Sequence, residues 1–329
     1  MRKYLVVGAN SFSGSHFVSH LLEQGHDVVG LSRSPEPTFP FLPRLWSTTK
    51  GSYTFMQVDL NAPSADFYAE LSVQRPQVVV NFAAQGMVAQ SWDAPWDWFQ
   101  TNTVALSRFL QQLMELPSLE KYAHISTPEV YGSTDGWIKE SWEFRPSTPY
   151  ATSRAAGDWH VANLANVKGL PIVLTRAANV YGPGQQLYRV IPRAFLSGIL
   201  RERFPLHGSG ESTRSFIHIR DVVDATYRLA EGDFAETVFH ISTNELVSIR
   251  SLVDAVARVL GGSPSLELEN LPERDGKDFT YQLDSTLLRG VTGWSDTISL
   301  EQGLSDVHDW AFRHLNELRD LPKNYVHKV

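Results

Sequence analysis

A short apolar run near the start of the chain, residues 4–8, passes directly into Gly8-Ala9-Asn10-Ser11-Phe12-Ser13-Gly14 and then into an amphipathic stretch, residues 14–23. Strand, glycine-bounded turn and helix in that order constrain the local topology more tightly than any other feature here. A helix N-terminus presents unpaired N–H groups and a partial positive charge, so such a turn suits a phosphate group. Ser11 stands where the middle glycine of the usual pattern would be, and a serine still permits close approach and can donate a hydrogen bond.

The alternation continues. Apolar runs at 27–31, 53–58, 77–82, 122–126 and 172–177 read as further strands, with helices expected at 101–114 and 150–165. Right-handed crossovers between such runs give an α/β fold, a Rossmann-type doubly wound parallel sheet, over residues 1–175. From 176 to 329 the elements look shorter and are divided by Gly182-Pro183-Gly184 and Gly208-Ser209-Gly210. This part reads as a smaller C-terminal α/β substrate-binding domain, with strand-like segments at 216–219 and 237–241 returning to the main body.

Composition narrows the partners. A formal charge of -7 supplies no basic footprint for nucleic acid. No cysteine is present, which removes disulfides, thiolate metal sites and cysteine nucleophiles and suits a reducing cytoplasm. The apolar run after Arg2 and Lys3 is too short for a signal peptide or a membrane span, so a cytoplasmic protein without a membrane partner is expected. Trp92, Trp96 and Trp98 read as core or subunit interface. His16 and His20 share a helix face, but no third ligand accompanies them, so they read as packing residues and no metal is expected. Ser126 and Ser153 lack a histidine at motif spacing, which removes a serine hydrolase.

The ligand-binding positions follow from the sheet. At the end of the second strand, where an acid would hold the ribose of NAD, the chain has Ser32 and Arg33. An arginine beside serines suits a 2′-phosphate, so NADP is favoured, with NAD as the alternative. Asp59 and Leu60 are placed at the adenine edge, and Phe82, Ala83 and Ala84 allow close backbone approach to the dinucleotide.

Tyr150 and Arg154 lie at i and i+4, on one face of the expected helix. A free phenol titrates near ~10, and a cation within ~4–6 Å favours its phenolate, so the pair reads as a tyrosine made basic by a guanidinium. Ser126, Thr127 and Glu129 lie some twenty residues upstream.

In order along the chain, the glycine loop, Asn81-Phe82-Ala83-Ala84-Gln85, Thr101-Asn102, Ile125 to Gly132, Pro149 to Arg154, Arg176 to Pro183, Arg214 to Val222 and Pro272 to Asp278 resemble the extended short-chain dehydrogenase/reductases. Within them, the nucleotide-sugar 4,6-dehydratases and epimerases are most similar. The resemblance implies Tyr150 as catalytic base, Arg154 in place of a lysine at the nicotinamide ribose, and Thr127 on the sugar 4-hydroxyl. It also implies Gln85, Asn179, Arg189, Arg214 and Arg274 around the nucleotide-diphosphate sugar, structural roles for Asn102 and Asp221, and a homodimer through the helices at 101–114 and 150–165. Glu211, Arg214 and Asp221 are expected to form a polar network beside the substrate.

Two positions depart from the pattern. Arg154 keeps the charge but not the shape of an ammonium. Pro128 stands where glucose-type dehydratases carry an aspartic acid that protonates the leaving hydroxyl, and losing a general acid typically costs ~10²–10⁴-fold. Mannose-type dehydratases carry a non-acidic residue there before the same glutamate. Glu129 suits removal of a C5 proton, which a simple epimerase does not need. A 4,6-dehydratase is therefore expected, with a C4 epimerase or 4-keto reductase as alternative and a non-catalytic cofactor-binding protein as the remote one.

Overall fold

The computed structural model describes residues 1–234, 237–261, 266–272 and 280–327. The apolar runs form a parallel central sheet of β1 (Lys3–Val7), β2 (Asp27–Ser32), β3 (Ser52–Gln57), β4 (Val78–Asn81), β5 (Lys121–Ile125) and β6 (Ile172–Ala177). A seventh strand, β7 (Val238–Ile241), pairs with β6, so the segment near 240 does return to the main body. The order is β7-β6-β5-β4-β1-β2-β3, and each pairing is parallel. Strands covered on both faces must be apolar throughout; Leu5, Val6, Val78, Val79 and Val80 have no exposed surface. The strand order reverses between β1 and β4, and ligand crevices open at the carboxyl ends of strands at such a point.

The helices in chain order are α1 (Phe12–Glu23), α2 (Phe67–Gln74), α3 (Pro95–Phe99), α4 (Leu106–Leu113), α5 (Pro149–Lys168), α6 (Val190–Leu200), α7 (Ile219–Glu231), α8 (Ile249–Val259), α9 (Thr286–Thr292), α10 (Leu300–Arg313) and α11 (Leu315–Leu318). Phe17, Leu21, Val222 and Leu229 of α1 and α7 cover one face of the sheet. Phe67, Phe109, Leu110 and Val161 of α2, α4 and α5 cover the other. A separate core joins α6, α8 and α10 through Phe195, Leu252, Val256, Val307 and Trp310.

Three expectations change. The helix at 101–114 is interrupted, because Gln100–Ala105 is a π-helical turn and only α4 continues it. Within this turn Asn102 is directed inward: Oδ1 accepts from the Gln85 amide at 2.8 Å, while Nδ2 donates to the Gln85 carbonyl at 3.0 Å and to Ser153 Oγ at 2.9 Å. Beyond residue 176 the elements are not short; α6, α7, α8 and α10 run to 11, 13, 11 and 14 residues. Phe216–His218 pairs with Asn179–Tyr181 in a two-stranded sheet of its own, because β7 takes the place beside β6. Of the three tryptophans, Trp98 is fully buried, while Trp92 and Trp96 are 53% and 67% exposed. No helix among the described residues is long and apolar enough to cross a membrane.

Candidate active site

The turn after β1 is held closed by backbone contacts that leave no room for side chains. Gly8 has φ +81°, and a Cβ there would lie 2.7 Å from the Ala83 nitrogen. A Cβ on Gly14 would lie 2.2 Å from the Gly8 carbonyl oxygen. Ser11 caps α1, its Oγ accepting from the Gly14 amide at 3.1 Å, which leaves the hydroxyl hydrogen to donate. Asn10 donates its amide to Ser32 Oγ at 2.9 Å, and its own Oδ1 is buried without a partner. A bare glycine cradle, a helix N-terminus and an orphaned buried oxygen fit a dinucleotide at this turn.

The turn opens on a cleft of about 880 Å³ at the carboxyl ends of the central strands. Ser11, Phe12, Ser13, Arg33, Phe82 and Ala84 line its cofactor side. Asp59 sits instead in an adjoining cavity of about 260 Å³, with Arg33 and Gln85 on its walls, and its Oδ1 accepts from the Asn61 amide. Leu60 packs against the core beneath. Ser32 is buried and spent on Asn10, so of the two residues read as a 2′-phosphate site only Arg33 faces open space.

Across the cleft, Ser126 and Thr127 follow β5, and Thr127 begins a 3₁₀ turn, Pro128–Tyr131. Pro128 at its first position costs no hydrogen bond there and fixes φ. The turn places Glu129 in the cleft, with its amide 3.3 Å from Thr127 Oγ1. Tyr150 enters from the first turn of α5, which is capped by Thr148 with Pro149 following. Its phenol is hydrogen-bonded to the Thr127 side chain and feels Glu129, Arg154 and Arg189. Three residues read separately from the sequence thus converge on one point.

The electrostatics at that point reverse the expectation. Burial pushes the Tyr150 phenol up, and the neighbouring Glu129 carboxylate pushes it further. Arg154, the Thr127 hydrogen bond and Arg189 pull it down without overcoming those effects. One guanidinium on the same helix face is too little for a phenol removed from water beside a carboxylate.

Arg154 is only 2% exposed and is fixed from behind. It donates to the Ile125 carbonyl and lies 3.5 Å from His124 Nε2. His124 in turn lies 3.5 Å from Asp158, whose other oxygen accepts from Ser126 Oγ at 2.7 Å and from Arg176 at 3.0 and 3.3 Å. Burial would raise the Asp158 carboxyl, but His124, Arg176 and Arg154 hold it below the usual carboxylate range. Sequence reasoning missed Asp158, although its place four residues after Arg154 on α5 continues the same face.

On the substrate side the cleft is lined by Gln85, Asn179, Arg189 and Arg214. Tyr281 donates to Asn179 Oδ1 at 2.5 Å and lies under the Arg214 guanidinium at 4.9 Å, a pairing that no motif announced. Met87 lines the same cleft at φ 71°, a left-handed conformation rare for methionine, again without a sequence signal. Arg274 lies outside the described residues. Asp221 does not join Arg214; its carboxylate receives the Thr297 and Ile298 amides and the Thr297 hydroxyl. His16 and His20 pack by their rings, against Phe12 and Trp46 and against Tyr227.

Sheet, phosphate turn and tyrosine cleft together define a nicotinamide-dependent enzyme of the extended short-chain dehydrogenase/reductase class. Within that class the chain belongs to the family described as GDP-mannose 4,6 dehydratase, whose model matches residues 5–307. It is similar to the dTDP-glucose 4,6-dehydratase of Xanthomonas campestris, 28% identical over 331 residues covering 94% of this chain and 93% of the relative. The dTDP-D-glucose 4,6-dehydratase of Homo sapiens is 28% identical over 330 residues, covering 98% and 93%. Among solved structures, DesIV of Streptomyces venezuelae, a dTDP-glucose 4,6-dehydratase with NAD and TYD bound, superposes with TM-score 0.84 at 26% identity over 96% of this chain and 98% of that one. The UDP-glucose 4-epimerase of Thermotoga maritima with UDP-glucose superposes with TM-score 0.85 at 26% identity, over 95% and 99%.

Proposed function

We propose that the protein is a nucleotide-diphosphate-sugar 4,6-dehydratase. The observation that carries this reading is the convergence of Thr127, Glu129 and Tyr150, because it sets a carboxylate beside the phenol that would take the 4-hydroxyl proton. The nicotinamide cofactor, when bound, supplies a hydride store that is filled from C4 and emptied at C6. Tyr150 removes the 4-hydroxyl proton while Thr127 holds that oxygen, and Arg154 favours the phenolate. The new ketone acidifies C5–H, and Glu129 removes that proton. With Pro128 in place of an acid, the protonated Glu129 passes it in this reading to the departing C6 hydroxyl, which leaves as water. A proton then re-enters at C5, balancing the one taken by Tyr150, and the product is a 4-keto-6-deoxy sugar.

Asn179, Arg189 and Arg214 bind the nucleotide diphosphate in this reading, in a substrate domain running from residue 176, and Gly8 to Gly14 hold the dinucleotide. Mass spectrometry after incubation with a panel of nucleotide sugars, without added reductant, tests it. Loss of one water from a member of the panel supports the dehydratase; unchanged masses with C4 inversion leave the epimerase, which Pro128 and the similarity to the Thermotoga maritima enzyme favour as the second reading.

Arg33 faces the cofactor cleft and no acid ends β2, so we read the cofactor as NADP although the Streptomyces venezuelae structure holds NAD. Arg33→Ala is expected to weaken NADP about tenfold, the scale of one lost charge-assisted contact, with NAD unchanged. An unmoved NADP affinity by calorimetry returns the choice to NAD.

A further inference from the structure

The segment that follows α11 lies outside the family match, which ends at residue 307, yet it reaches the cleft. Residues 321, 323, 325 and 327 are half-buried and 322, 324 and 326 exposed, the alternation of an extended chain laid on a surface. Its anchors stand on opposite sides of the cleft. Lys323 donates to Glu202 at 2.5 Å, just beyond α6. His327 stacks on the buried Trp98 ring, 5.0 Å between centroids and 4° from parallel, with Nε2 2.8 Å from Asp97 Oδ2. Between these anchors Tyr325 enters the cleft wall. Its hydroxyl accepts from Gln85 Nε2 at 3.2 Å, and its ring meets Tyr188 edge-on at 5.5 Å.

Tyr325 thus touches both halves of the site. Gln85, in the loop after β4, borders both the cleft and the adjoining cavity that holds Arg33 and Asp59, and Tyr188 precedes α6 on the substrate side. Burial and Tyr188 push the Tyr325 phenol up, while Arg33 and Arg189, the cations read as phosphate ligands for cofactor and sugar nucleotide, pull it down by less. Glu202 and Trp98 lie outside the lining of the cleft, and Asp97 borders the adjoining cavity beside Arg33 and Asp59.

We propose that residues 322–327 form a strap across the cleft, and that Tyr325 is a shared binding residue contacting both the dinucleotide cofactor and the nucleotide diphosphate of the substrate. This rests on the nucleotide-sugar reading for the identity of the second ligand. The Tyr325 hydroxyl, which accepts from Gln85 and lies 3.3 Å from His327 Nδ1, borders the cleft and can turn its single O–H to a phosphate oxygen there. The shared contact then comes from residues beyond 307, where the family match ends.

The test is calorimetry on the full chain and on Tyr325→Ala, Tyr325→Phe and His327→Ala, titrating NAD, NADP, UDP, GDP and dTDP separately. Tyr325→Ala is expected to weaken the preferred cofactor and the preferred nucleoside diphosphate each about tenfold, the scale of one lost contact to a charged group. Tyr325→Phe should lose less, because the ring contact with Tyr188 remains, and His327→Ala should follow Tyr325→Ala by releasing the anchor. Should Tyr325→Ala not fold, the other two variants decide. Affinities within twofold of the unaltered protein, or a loss confined to one ligand, would overturn the shared strap. If the unaltered protein binds cofactor but no nucleoside diphosphate, the nucleotide-sugar reading fails, and unchanged cofactor affinity in the variants would still refute the strap.

Discussion

In the proposed mechanism burial works against Tyr150 as a base, and Glu129 adds to the difficulty, so the carboxylate assigned to the C5 proton also opposes the first step. The conflict has a measurable sign. C4 oxidation requires the phenolate, so its rate rises as pH climbs towards the Tyr150 pKa. Glu129→Gln removes an anion that raises that pKa, so the rise should move to lower pH, while water loss falls by ~10²–10⁴-fold. Arg154→Met removes a cation that lowers it and should move the rise to higher pH. Single-turnover absorbance of the reduced nicotinamide follows the first step, and mass spectrometry follows the second. Equal dehydration by Glu129→Gln would remove Glu129 from the mechanism; an unmoved pH profile in both variants would remove Tyr150 as the titrating base.

At the level of elements, α5 carries the site on one stripe: Tyr150 in its first turn, then Arg154, then Asp158. The helix approaches the π-turn so closely that a Cβ on Gly157 would sit 2.7 Å from the Asn102 carbonyl oxygen, which locks the stripe against the cleft. Tyr150 and Arg154 were legible because motif and period agreed. Asp158 was not, since its partners Arg176, His124 and Ser126 come from β6, β5 and the residue after β5, which only folding brings together. Asp158→Asn leaves Arg176 buried without its counter-charge and should cost roughly 3–5 kcal/mol. The pH dependence has a definite direction. A carboxyl held below its unfolded value of ~3.9 stabilises the fold above that value and loses this contribution as pH falls through the lower folded value. Urea denaturation of Asp158→Asn should therefore show the loss at neutral pH and a difference from the unaltered protein that narrows in acid. A constant difference down to the acid transition would contradict a charged Asp158.

For the molecule as a whole, the parallel sheet was readable because its inner strands, covered on both faces, are apolar runs; the edge strand β3 was placed by its position in the alternation, and the segment at 237–241 was expected to return to the main body as β7 does. The helices α6, α8 and α10 were not, because glycines and prolines between them drew attention from faces that only their shared core explains. The cleft lies between that core and the sheet, with α5 behind Tyr150, so whatever braces α5 bears on catalysis. Val104 beside α4 and Trp159 on α5 are 38% and 45% exposed, on the two stretches that the family resemblance assigns to a homodimer. A two-fold interface buries the same patch on both subunits, so a charge placed there is buried twice. Val104→Glu with Trp159→Glu should therefore convert a dimer to a monomer in light scattering, whereas a monomeric unaltered protein at micromolar concentration would refute the dimer. Trp159 also packs on Trp142 and Phe144 and lies on the helix that carries Tyr150, so the monomeric variant should lose kcat while keeping its affinity for nucleoside diphosphate; if both fall together, the substitutions disturb the whole cleft and not α5 alone.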